Sequence, residues 1–223
     1  METATEMKER PILFSAPMVR AILAGNKTQT RRVIKPQPKG TRTDAYPDRY
    51  NNGPHWAFWL PDNRMTEEQT WKCPYGEPGD RLWVRETWKT EERKEDCVDG
   101  IRLRADNAFV PIENTTEAAD AWVQVNKRDG KWRPSIFIPR WASRIILGVT
   151  NVRVERLQEI TEEDAKAEGV EAVSCADVPR QAAWSNRQDF SRIWDSINAK
   201  RGFGWDTNPW VWVVGFRKCE PAK

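Results

Sequence analysis

The run Trp210-Val-Trp-Val-Val-Gly-Phe-Arg217 constrains the fold most, because aromatic and β-branched residues follow one another without a polar face. A surface strand alternates between core and water with a period of two. This run has no side to give to water, so it reads as the central strand of a sheet. Three further segments supply strands. Thr28–Ile34 is rich in β-branched residues and is ended by Pro36 and Pro38. Gly79–Trp88 reads as a turn feeding a strand in which Leu82 and Val84 alternate against Arg81, Trp83 and Arg85. Ile145–Glu155 is longer, and its Gly148 marks a bulge.

Between the strands lie short helices with legible ends. Phe14–Gly25 has Ser15 near the N-cap, Pro17 in the first turn, Val19, Ile22 and Leu23 on one face, and Gly25 as the stop. Thr161–Gly169 has a Thr cap, a Gly stop, and Glu162, Glu163 and Asp164 placed to favour the positive end of the helix. Ser185-Asn-Arg-Gln188 has capping-box form, and Phe190, Ile193, Trp194 and Ile197 then fall at i, i+3, i+4 and i+7, with Gly202 beyond. Lys35–Pro78 is dense in Pro, Gly, Asn and Asp, and only Trp56–Leu60 and the approach to Trp71 resemble strands, so it reads as a long insertion. Strands joined by irregular loops, with few helices and no βα alternation, predict one α+β, barrel-like domain over residues 1–223.

Several chemistries are excluded by counting. No apolar run approaches the ~20 residues that span a bilayer, and the charged opening Met1–Arg10 lacks a secretory apolar core, so a cytoplasmic location is expected. Cys73, Cys97, Cys175 and Cys219 form no C-x-x-C pair, which fits a reducing compartment and offers no zinc site. His55 is the single histidine and lies in the insertion between Pro54 and Trp56, where a structural or solvated role is expected. A hydrolase built from this chain has to find its base elsewhere. The thirteen tryptophans fill core volume, while one near a site, such as Trp88, can stack on a base. From Arg10 to Arg42 eight basic residues occur with no acid, a pattern that suits a solvated face or an anionic or nucleotide ligand.

After the first helix the chain reads Gly25-Asn-Lys-Thr-Gln-Thr-Arg-Arg32. A desolvated lysine can be neutral enough to take a hydroxyl proton, which makes Lys27 a base and Thr30 a nucleophile without any histidine. By spacing alone the pair reads first as an exposed lysine and an ordinary strand threonine.

Four patterns occur in order: G-x-K-x-x-T-x-R (Gly25, Lys27, Thr30, Arg32), G-D-x-Φ-x-V at Gly79–Val84, T-E-x-x-A-x-x-E at Thr161–Glu168, and the closing aromatic strand at Trp210–Phe216. In these the chain resembles the ASCH domain family, in its longer phage- and prophage-associated branch, with insertions near 36–75 and 171–200. The resemblance implies a β-barrel similar to the RNA-binding PUA domains. It also implies a metal-independent, cofactor-free amidohydrolase that removes the acyl group from N4-acetylcytidine-type substrates, with Lys27, Thr30 and Glu168 as the catalytic set. Arg31, Arg32 and backbone N–H groups near Gly25 are then candidates for stabilising the oxyanion. Glu86 and Trp88 are candidate substrate contacts, Glu86 having a salt bridge to an arginine as its alternative reading. The expected partner is a nucleoside or base, with RNA as a second class and no membrane. The competing functions are a non-catalytic RNA- or modified-base-binding module, a ribonuclease, and an accessory protein that binds another protein.

Overall fold

The computed structural model describes residues 7–39, 42–48, 53–59, 71–93, 98–112, 115–116, 120, 122, 130–170 and 185–219, with the backbone alone for 42–48, 53–59, 93 and 98. A five-stranded sheet organises them. Its strands are β1 (Glu9–Leu13), β2 (Gln29–Val33), β5 (Arg81–Arg85), β9 (Ile146–Arg156) and β10 (Trp210–Cys219), in the order β1-β5-β9-β10-β2. β1 and β5 run parallel, and the other pairs are antiparallel. Two smaller sheets pair β3 (Arg42–Asp48) with β4 (Gly53–Trp59), and β6 (Trp88–Arg93) with β7 (Val98–Leu103) and β8 (Phe109–Pro111). Among the described residues β1 and β2 do not pair, so the large sheet is open and the architecture is α+β without a closed barrel.

β10 lies between β9 and β2, as its two apolar faces demand. Trp210, Trp212, Val214 and Phe216 join a core with Ile12, Phe14, Val19, Ile22 and Leu147, while Val211 and Val213 face a second core holding Phe190, Ile193 and Trp194. Helix α1 (Ala16–Leu23) therefore covers one side and α3 (Asn186–Asn198) the other, with α2 (Glu162–Ala167) beside it. Fully burying one such side chain contributes roughly 1.5–3 kcal/mol, so β10 is the best-anchored strand.

The helix ends follow the sequence. Thr161 accepts from the Asp164 N–H, and Ser185 and Gln188 complete both halves of the capping box. Four expectations are corrected. Trp83 is buried, because the β6–β8 sheet supplies a third core with Trp88, Ile101 and Leu103 on the side of β5 that was expected to be polar. The irregularity in β9 falls at Thr150, since Gly215 pairs with Asn151 and Phe216 with Val149, and Gly148 is paired with Arg81 and Arg217. Ile197 is exposed at the end of α3. The segment between Lys35 and Pro78 also holds β3, and β4 begins before Trp56. Most of the 171–200 insertion before α3, with Cys175, lies outside the described residues, as do Cys97 and the His55 side chain. No helix among the described residues is long and apolar enough to cross a membrane.

Candidate active site

Two chain reversals and a bridge between them build the site. Gly25 takes φ +77° after α1, where a residue with a Cβ is strained, and the chain turns back so that the N–H groups of Asn26 and Lys27 donate to the Ala21 carbonyl. Lys27 then forms an antiparallel bridge with Glu168, the C-cap of α2, and the Thr28 N–H donates to the Ala167 carbonyl. Gly169, at φ +80°, makes the approach possible, because a Cβ there would lie 2.9 Å from Ala21 Cβ and 3.0 Å from Lys27 Cβ.

The Lys27 side chain is fully enclosed, and its Nζ donates to both the carbonyl oxygen and Oε2 of Glu168, each at 2.8 Å. The Phe14 ring centroid lies 5.7 Å from the same nitrogen. Burial lowers the Lys27 pKa. Glu168 acts against that by charge and hydrogen bond, Arg32 and Arg31 add to it, and the net position is below the ordinary lysine value. A buried ion pair of this kind recovers little more than the cost of desolvating it, so the charge on Lys27 is only weakly supported there.

Behind the pair lies a polar layer between β2, β9 and α2. The buried Arg31 guanidinium donates to Glu155 Oε2 at 2.8 Å and Asp164 Oδ2 at 2.9 Å, and reaches Glu168 Oε1 at 3.5 Å. Gln29 and Arg153 also donate to Asp164. Glu168 is thus held between two cations and cannot swing away from Lys27 without leaving Arg31.

Thr30 and Glu168 open onto a cavity of about 240 Å³ along the free edge of β2. Arg31, Arg32 and Val33 continue that wall; Phe190, Ile193 and Trp194 of α3 form the apolar wall opposite, and Tyr75, Lys35 and Arg201 stand around it. The volume lies just below the ~300–1,000 Å³ typical of pockets for drug-sized ligands, which suits a base or nucleoside. The arrangement offers a hydroxyl and a carboxyl on the wall of a cavity that is apolar on one side and basic on the other, with Lys27 bound behind the carboxyl.

The structure thus brings together Lys27, Thr30, Glu168, Arg31 and Arg32, with Gly25 shaping the turn that delivers them. It does not bring Glu86 or Trp88. Glu86 is bound at both oxygens by Arg144, at 3.0 and 2.9 Å, because that guanidinium satisfies a carboxylate enclosed by the core. Trp88 is 2% exposed and packs in the third core, which leaves no face for a base. Cys73 is no substitute nucleophile, since burial pushes its thiol up to about 12. Among the described residues no group of three or more His, Cys, Asp or Glu side chains is placed to hold a metal ion. Sequence reasoning missed Lys35, Tyr75, Arg201 and the α3 wall. The apolar period of α3 was visible, but nothing in it says that β2 lies opposite.

No protein-family model and no curated protein matches the chain. Among solved structures, the crystal structure of a protein from Enterococcus faecalis V583, described by the family model DUF984, aligns with 97% of this chain and 83% of its own at 11% identity and a TM-score of 0.37. At that identity and TM-score the likeness assigns this chain neither a fold nor an activity.

Proposed function

We propose that the protein is an ASCH-type amidohydrolase on a PUA-like scaffold, removing the acyl group from N4-acylated cytosine or cytidine without a metal. One observation carries the reading most: Lys27 and Glu168, 141 positions apart in the chain, meet in a buried pair at the cavity that Thr30 lines. A pure binding module has no need for a desolvated lysine paired with a carboxylate at its cavity.

The cycle starts from neutral Lys27, the form that burial favours. Lys27 takes the proton of Thr30 as its Oγ attacks the acyl carbonyl, and Arg31, Arg32 or backbone N–H groups stabilise the oxyanion. The C–N4 bond breaks, and Glu168 relays the proton from the Lys27 ammonium to the departing cytosine amine. Glu168 then takes a proton from water, the resulting hydroxide attacks the Thr30 ester, and Glu168 returns that proton by way of Lys27 to Thr30 as the acid leaves. One water is consumed, and both side chains end as they began.

The test is direct. Purified protein incubated with N4-acetylcytidine should release cytidine and acetate. Absence of turnover at high concentration of folded protein would favour the second reading, a modified-base- or RNA-binding module, which the cations around the cavity also suit.

A further inference from the structure

We propose that the mouth of the cavity binds a phosphate group, so that its preferred ligand is a cytidine 5′-monophosphate rather than the nucleoside. The choice of base rests on the reading above; the phosphate does not rest on hydrolysis.

Four cations line the cavity, Arg31, Arg32, Lys35 and Arg201, against the single carboxylate of Glu168. Glu168 is already occupied by Lys27 and Arg31, and Arg31 is further answered by Glu155 and Asp164. The other three make no ion pair among the described residues. Arg32 donates to the Leu13 carbonyl and lies over the Phe14 ring, and its Nε–H is buried without an acceptor. Lys35 lies 5.2 Å from the centroid of the Phe203 ring. Arg201 reaches only the side-chain oxygen of Asn198, at 3.4 Å.

These charges stand close enough to act on one another. Burial lowers the Arg32 pKa first; Tyr75 and Glu168 act to raise it and the charge of Arg201 to lower it, while both guanidiniums pull against the burial that raises the Tyr75 phenol. Like charges gathered at one opening cost energy unless an anion joins them. Lys35 follows β2 and Arg201 follows α3, so an anion between them ties the two walls of the cavity together. A phosphate monoester suits that place, since it carries close to two charges at neutral pH and accepts bidentate bonds from a guanidinium.

A cluster also differs from a track. An RNA chain is followed by cations along its path, whereas the basic Arg10–Arg42 segment is dispersed by folding. Arg10 faces Asp80, Arg20 binds the Ala105 carbonyl, and Lys27 and Arg31 are buried within the catalytic layer. Arg32 and Lys35 are what remains at the mouth.

Calorimetric titration with cytidine 5′-monophosphate and with cytidine tests the proposal without any chemistry. At low salt the monophosphate should bind about tenfold tighter or better, and the advantage should shrink as salt is raised. Lys35→Gln and Arg201→Gln, both at exposed positions, should each reduce the ratio of the two affinities several-fold. Equal affinity for the two ligands, or binding of neither at millimolar concentration, overturns the proposal. So does tighter binding of a cytidine oligoribonucleotide that lacks a terminal phosphate, which would assign the cations to an RNA backbone. If the monophosphate is preferred but neither N4-acetylcytidine nor its 5′-monophosphate is hydrolysed, the phosphate site stands and the amidohydrolase reading falls.

Discussion

Lys27 sets the most demanding condition, because an amine abstracts a proton only in its neutral fraction. Burial lowers its pKa, and the ionised Glu168 at 2.8 Å opposes that without reversing it. The neutral fraction therefore grows with pH, and kcat/KM for N4-acetylcytidine should rise along a limb whose apparent pKa lies below ~10.4. That limb belongs to the coupled pair rather than to either group. A profile flat from acid to alkaline pH, with chemistry rate-limiting, would mean that Lys27 stays a cation and only binds the carbonyl. At this scale the sequence was uneven. Lys27 and Thr30 stand three apart and suggest a pair, but nothing local links them to Glu168, and only the resemblance did so. For Glu86 the salt-bridge reading is the one the structure gives, although Arg144 as its partner is not visible from the residues beside it, and neither is the third core that encloses Trp88.

Turns and helix ends were legible because their partners lie within four residues. The Thr161 and Ser185 caps depend on side chain and backbone alone. Gly169 was legible as a helix stop, whereas its second role, letting α2 end against α1 and Lys27, needs the tertiary structure. Gly169→Ala should lower stability by about 1–2 kcal/mol through its left-handed backbone and also lower kcat, since the added methyl would press on Lys27 Cβ. Gly79→Ala is the control. Its φ is +100° but a Cβ meets nothing within 4 Å, so urea denaturation should show the stability loss and the assay an unchanged kcat. The layer between α2 and β9 has a pH signature. Burial raises the Asp164 carboxyl, but the hydrogen bond and charge of Arg31, with Gln29 and Arg153, outweigh it and leave the pKa below its ordinary value. The unfolded chain then binds more protons than the native one near pH 4, so this stabilisation is complete above ~4 and is lost as pH falls through the native value. Asp164→Asn should be less stable at neutral pH and should lose less on acidification to pH 3. An equal acid loss in both would remove Asp164 as its source.

For the whole molecule, one sheet with a core on each side places the free edge of β2 opposite α3, and the cavity is the gap between them. The two-faced apolar run of β10 predicted that layering. The β6–β8 sheet was not predicted, because β6 and β7 are largely polar, β8 is three residues long, and their order comes from the third core. Since base, nucleophile and acid all come from side chains, turnover should survive exhaustive chelation. Loss followed by rescue with one metal would replace this mechanism. The most direct test of the central claim compares kcat/KM for N4-acetylcytidine in the wild type, Thr30→Ala, Thr30→Ser and Glu168→Gln, each shown to be folded by circular dichroism. Thr30→Ala and Glu168→Gln should each fall by roughly 10²-fold or more, with Thr30→Ser keeping measurable turnover. Near-wild-type turnover in Thr30→Ala would contradict the covalent route and leave Lys27 or Glu168 to activate water without it.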